Sequence, residues 1–188
     1  IAERLLEQAY IIVEGDRITA VGPQTELQGS SSERFAHTVD LGPEVTVLPG
    51  LINMHTHITF SAGDAVFEDH QRDSHTTKLL RAVKHLREAL GTGVTTIRDC
   101  GTINSIAFPV RDAVEQGLLL GPRVIAAGAG ITTTGGHCWF CGVEADSAVE
   151  ARRGVRAQVK AGADFIKIFA TGGGSTPGGF EIPAVDVT

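Results

Sequence analysis

Residues 49–57 read PGLINMHTH, an apolar run behind a Pro-Gly pair that closes on two histidines one residue apart. The run predicts a strand, TVLPGLINMH over residues 46–55, and alternate side chains of a strand share a face. His55 and His57 therefore point the same way. Two neutral imidazoles aimed at one point make a metal site. The pair reads equally as one imidazole buried against a backbone partner and one standing in the loop, since histidine is a common polar residue at strand ends.

Downstream, the pattern of strand, loop and helix repeats. SHTTKLLRAVKHLREALGTG (74–93) sets Leu79, Val83, Leu86 and Leu90 at helical spacing and stops at Gly91 and Gly93. VTTIRDCG (94–101) is a second strand, and FPVRDAVEQGLLLG (108–121) a second helix with Pro109 suited to its first turn. PRVIAAG (122–128) is a third strand. After the glycine-rich AGITTTGGHCWFCGVEAD (129–146), the helix SAVEARRGVRAQVKAG (147–162) opens with Ser147 and Glu150 at capping-box spacing. DFIKIFATGG (164–173) is the fourth strand.

Strands alternating with helices imply a parallel sheet under helical cover, because parallel neighbours need crossover connections. Doubly wound sheets and (β/α)₈ barrels both begin this way. Barrel enzymes gather their chemistry at the carboxyl ends of several strands. His55, His57, Asp99, His137 and Lys167 all fall at or just past those ends, which favours the barrel. The expected fold is α/β: residues 49–188 as the first half, strands one to four, of a (β/α)₈ TIM barrel. Ahead of it, YIIVEGDRITAVGP (10–23) has the alternation of a hairpin turning at Glu14–Arg17, and TELQGSSSERFAHTVDLG (25–42) is rich in turn residues. Residues 1–48 are thus expected to be part of a small β domain.

Lys167 carries more information than the histidine pair. Phe165, Ile166, Ile168 and Phe169 surround it, so neither face of its strand looks wet, and an unpaired buried ammonium sheds its proton or is chemically changed. Besides snorkelling to solvent, it has three uses: a Schiff base with a carbonyl substrate, a phosphate contact, or reaction with carbon dioxide to a carbamate that bridges two metal ions. The carbamate suits the histidines, which a Schiff-base enzyme would not need. Two cations about 3.5–4 Å apart lower the pKa of a shared water from 15.7 towards roughly 7 and polarise a carbonyl. That combination is hydrolytic.

VLPGLINMHTH resembles the strand-one motif of the metal-dependent amidohydrolase superfamily, and ADFIKIFATGG resembles its carboxylated-lysine strand. GVTTIRDCG, GPRVIAAGAGITTTGGH and GADFIKIFATGGG together are similar to the branch holding imidazolonepropionase-like enzymes and metal-dependent Xaa-Pro dipeptidases. Asn53 departs from the aspartate often found there. The resemblance implies a β-sandwich for the leading domain, His55 and His57 as metal ligands and Lys167, carboxylated by CO2, as the bridge. It further implies two divalent metal ions, zinc first, and His137 facing a small amide or dipeptide substrate. Two later histidines and a proton-accepting aspartate of the family pattern are not within these residues. His70, His75 and His85 precede the second strand and are poor substitutes. The four-strand piece is accordingly expected to be inactive alone and to need the remaining half of the barrel, from the same parent chain or another, within a homo-oligomer. The rival readings are a metal-free lyase using Lys167 and a barrel relative that has become a binding or assembly module.

Composition narrows the partners. Sixteen Lys and Arg against 22 Asp and Glu, with no basic block longer than Arg152-Arg153, offer no footprint for nucleic acid or an anionic membrane. No run of ~18 apolar residues reads as a membrane span, and Glu3, Arg4 and Glu7 sit where a signal peptide would be apolar, so a cytoplasmic location is expected. Three cysteines, Cys100, Cys138 and Cys141, favour free thiols over a disulfide framework. The C-x-x-C in HCWFC is half a zinc site, and it lies in a loop instead of opening a helix as a redox pair would. Strand-end charges such as Arg98 and Asp99 line the mouth or pair with each other. TGGGSTPGG (171–179) lacks the Lys-Ser/Thr of a phosphate loop and reads as a loop beside the metal.

Overall fold

A computed structural model describes residues 5–27 and 35–176. The chain divides into two compact units, Ile1–Leu48 and Pro49–Thr188. In the first, β1 (Ala9–Glu14) and β2 (Arg17–Pro23) pair antiparallel around Gly15-Asp16. Gly15 takes φ 62° at the first central position of this two-residue turn, the place where tight hairpin turns want glycine. A single-turn 3-10 helix, Gln24–Leu27, follows. Among the described residues this unit holds one two-stranded sheet, β1 with β2.

The second unit is built on a parallel sheet of order β3 (Leu51–Thr56), β4 (Val94–Asp99), β5 (Arg123–Ala126). The first strand starts later than residue 46. Pro49 has no N–H to give a ladder, and pairing begins where Leu51 N–H donates to Gly93 O at 2.9 Å. Helix α1 (Val66–Arg72) follows β3 and was not foreseen, being too short for a helical period to show. Helix α2 (His75–Gly91) opens on Ser74, whose hydroxyl accepts the Thr77 N–H. Helix α3 (Asn104–Glu115) begins four residues before Phe108, placing Pro109 inside it and not in its first turn. The burial of Ile106 and Ala107 on the sheet explains the earlier start, at the cost of the hydrogen bond that Pro109 cannot donate. Helix α4 (Ala148–Ala161) is capped as expected at Ser147, although the Glu150 carboxylate reaches back to the Asp146 N–H, one residue further than the usual reciprocal bond.

One core joins α2 and α3 to the sheet: Ala82 and Leu86 from α2, Ile106, Ala107, Phe108 and Val110 from α3, Ile97, Val124 and Ala126 beneath. β3 is the exception. Leu51, Ile52 and Met54 are 52%, 61% and 53% exposed, an apolar surface with nothing packed on it among the described residues.

The expected fourth strand is the main correction. Segment 164–173 makes a single parallel bridge, Ile168 with Ile131, flanked by Ile131 N–H to Lys167 O and Phe169 N–H to Ile131 O, both 2.8 Å. Its neighbour is interrupted: after β5 the chain kinks through Gly128 and resumes as β6 (Ile131–Thr132), which pairs with β7 (Val143–Glu144). With that neighbour broken, the segment makes no ladder with it among the described residues. Gly128 holds φ 69°, and a Cβ there would lie 2.5 Å from Asn104 Oδ1 and 2.7 Å from Gln158 Oε1, the two groups that receive the Ala129 N–H. Gly128→Ala is therefore expected to destabilise the second unit by roughly 2 kcal/mol or more, measured by urea unfolding. A change within experimental error would show that the kink adapts.

Among the described residues no helix is long and apolar enough to cross a membrane.

Candidate metal and substrate site

The β3 terminus, the loop after β4 and segment 164–173 bring the histidine pair and the lysine together. Lys167 Nζ lies 3.4 Å from His55 Nε2, and the His55 and His57 rings are 5.4 Å apart. The His57 Nδ1 is 2.9 Å from Gly101 O, and since a carbonyl only accepts, Nδ1 carries the proton and Nε2 keeps its lone pair. A backbone acceptor that sets the tautomer in this way is a common support for a metal-binding histidine. Phe60 stacks on the His57 ring at 4.5 Å and fixes its plane.

The three imidazoles are all shifted towards the neutral form, His55 although it is exposed. His57 is pushed down to about 4, mainly by desolvation against the opposing pull of the Gly101 carbonyl. His55 and His137 move the same way, first through desolvation and then through the nearby Lys167 charge. At neutral pH all three are lone-pair donors, as ligands must be.

Lys167 is less enclosed than its sequence neighbours suggest. Phe169 is buried, but Ile168 is 42% exposed and Lys167 itself half-buried, because no ladder seals the segment. The ammonium lies 5.0 Å above the Phe169 ring and points at His55. Among the described residues no set of three His, Cys, Asp or Glu side chains is placed to hold a metal. Two histidine lone pairs and an amine, with no carboxylate to share, fit a centre whose anionic donor is made on the lysine.

His137 stands beside this group. Its ring meets Phe169 edge-on at 5.3 Å, and Nδ1 is 2.8 Å from Ser175 Oγ, which also accepts the Cys138 N–H at 3.0 Å. The sequence reading missed Ser175, the Gly101 carbonyl and Phe60. A backbone acceptor leaves no residue signature, and a serine in a glycine-rich loop has none either.

Arg98 and Asp99 do not pair. Neighbours on a strand face opposite ways. Arg98 lies 4.3 Å over the Phe165 ring, while Asp99 is fully buried and accepts from the Ile58 N–H (3.1 Å) and the Thr102 hydroxyl (2.9 Å). His75 and His85 are engaged elsewhere, with Ser105 Oγ and Ile58 O, and His70 is buried against Phe60 and Phe140.

Residues 46–188 match the Amidohydrolase family. The chain belongs to that family. It is 27% identical over 197 residues to an ochratoxinase of Aspergillus niger, covering 89% of this chain and 39% of that one. It is 41% identical over 68 residues to an imidazolonepropionase of Paracoccus denitrificans, 36% of this chain and 16% of the relative. A solved Xaa-Pro dipeptidase with bound methionine superposes with a TM-score of 0.68 at 29% identity, over 88% of this chain and 43% of that structure. The chain thus spans about two fifths of the length of the ochratoxinase it matches. Its α/β architecture agrees with the first part of an amidohydrolase barrel.

Proposed function

We propose that this chain supplies the metal-binding, amino-terminal part of a hydrolase that cleaves C–N bonds of amides, with dipeptides of the Xaa-Pro type or N-acyl amino acids as substrates. The observation that supports it best is the meeting of His55 Nε2 with Lys167 Nζ at 3.4 Å, beside a His57 whose Nδ1 is committed to Gly101 O. His55 and His57 would hold divalent metal through Nε2, and Lys167, as its carbamate, would add the bridging oxygens. Zinc suits this donor set, as do iron, manganese and cobalt. When bound, such ions activate water and polarise the amide carbonyl.

The chain's own residues do the rest. His57 is locked in one tautomer and one plane. His137, steadied by Ser175, turns its other nitrogen to the carbonyl oxygen or carboxylate of the substrate. A proton acceptor for the attacking water lies outside the described residues. Leu51, Ile52 and Met54 support the further proposal that additional barrel strands, from the parent protein or a partner chain, cover β3 in the active protein. The name of the Xaa-Pro dipeptidase supports a peptide-type amide substrate.

The test is metal content and hydrolysis measured together on the complete protein, purified without chelator. Bound divalent metal, turnover of an Xaa-Pro or N-acyl amino acid panel, and loss of both on dialysis against a chelator are expected. A metal-free protein that retains turnover would favour the Schiff-base lyase. A metal-free, inert protein would favour the binding module.

A further inference from the structure

Cys138 and Cys141 are not used by the proposed hydrolysis, yet the fold brings them together. They bracket Trp139 and Phe140 in a 3-10 turn, closed by the Cys141 N–H donating to Cys138 O at 3.0 Å. Cys138, in left-handed backbone, caps this turn and Cys141 ends it, so the two cysteines stand at its two ends. A turn so closed holds its end Cα atoms within about 7 Å, and a disulfide spans about 4.4–6.8 Å. The Cys141 Sγ already reaches 3.4 Å from Cys138 O. Both thiols are free and 2% exposed, in a small apolar cluster with Phe169.

Three features set this pair apart from cysteines that merely fill space. Cys138 adopts φ 56°, left-handed backbone that a β-carbon disfavours. Ser175 Oγ lies 3.8 Å from its sulfur while also holding the His137 ring, so a polar group reaches the thiol inside an otherwise apolar cluster. The two thiols are also unequal: bonding from Cys141 and Ser175 lowers Cys138 below the usual thiol range, and its partner is pushed up. Ser175 Oγ stands against the Cys138 sulfur, and that placement marks Cys138 as the one to attack. Cys100 differs, with its sulfur set against the Met54 and Arg98 carbonyls of the sheet.

We propose that Cys138 and Cys141 are a peroxide-oxidisable dithiol that closes to a reversible disulfide one residue from His137. Burial favours a small oxidant, hence a hydroperoxide. The Cys138 sulfur, having given up its proton, attacks the O–O bond, an S–O bond forms, and the departing oxygen takes a proton and leaves as water. The Cys141 sulfur then loses its proton and attacks the sulfenic sulfur. An S–S bond forms and the second oxygen leaves as water. In sum two thiols and one hydrogen peroxide give one disulfide and two waters, the sulfurs losing two electrons and the peroxide gaining them. This proposal stands apart from the hydrolase reading, because it concerns sulfur chemistry alone.

The test treats the complete, reduced protein with equimolar hydrogen peroxide, alkylates it in denaturant and weighs the peptide that carries residues 138–141. The expected result is a peptide lighter by two hydrogens with neither cysteine alkylated, restored to two alkylations by dithiothreitol, while Cys100 stays alkylatable. In Cys141→Ser the reaction is expected to stop at a sulfenic acid on Cys138, trapped by dimedone. Full alkylation of both cysteines after peroxide, or oxidation that reaches Cys100 first, would overturn the proposal. The wild-type measurement decides alone should the variant not fold.

Discussion

Lys167→Ala in the complete protein is expected to lower kcat/KM by on the order of 10³-fold, about 4 kcal/mol of transition-state stabilisation, with loss of bound metal. The reasoning starts from a deficit. His55 and His57 bring two neutral lone pairs, and among the described residues no third His, Cys, Asp or Glu joins them. Without an anionic donor, two histidines hold divalent metal weakly. The alanine variant also leaves space next to His55 Nε2, where Nζ had stood at 3.4 Å. A short carboxylate such as acetate can enter that space and offer the oxygens of the lost carbamate. Partial recovery of activity with added acetate is therefore expected, along with recovery of metal. The lyase reading makes the opposite forecast, rescue by a small amine and none by acetate, with substrate trapped on Lys167 of the wild type by borohydride. Activity retained in the alanine variant would remove Lys167 from the chemistry altogether.

The elements that were legible before the structure are those whose signal lies in their own residues. The stripe Leu79, Val83, Leu86, Leu90 announced α2, and Ser147 with Glu150 marked the start of α4. β4 and β5 were plain for the same reason. Segment 164–173 was misread because its fate depends on a partner: Phe165–Phe169 has every residue a buried strand wants, but Gly128 breaks the neighbour it would pair with. The enclosure expected of Lys167 failed with it. In the candidate site, residue types at strand ends pointed to His55, His57, His137 and Lys167, and the fold assembles them. Their supports, a carbonyl at Gly101 and a hydroxyl at Ser175, were invisible because one has no side chain and the other sits in a run where glycine dominates. Arg98 and Asp99 show the reverse case, adjacent letters that suggested a pair and a strand geometry that forbids one.

Asp99→Asn is expected to raise stability at pH 7 and to flatten its dependence on pH. Asp99 is fully buried with one oxygen satisfied by the Ile58 N–H and the Thr102 hydroxyl, while Oδ2 has no hydrogen-bond partner. Desolvation outweighs those two bonds and pushes the carboxyl up from 3.8 to about 6. The folded state therefore binds the proton more tightly than the unfolded chain does. Its contribution is fully present below pH 4, falls as pH rises towards 6, and leaves a cost on the order of 3 kcal/mol at pH 7. Other groups facing the same cores work against it. His70 and His57, both pushed down to about 4, contribute stability above their ordinary range that is lost as pH falls. The wild-type profile between pH 4 and 6 thus mixes opposite slopes, and only the difference between wild type and variant isolates Asp99. Asparagine keeps an acceptor for Ile58 and Thr102 but places an amide where Oδ2 was, so its gain at pH 7 is smaller than the carboxylate's cost, about 1–2 kcal/mol. Urea unfolding of both proteins from pH 4 to 8 should give curves that diverge upward through pH 6, with the variant the more stable at the alkaline end. Parallel curves would mean that the Asp99 carboxylate is stabilised by a group beyond the described residues, and that its burial carries no charge penalty.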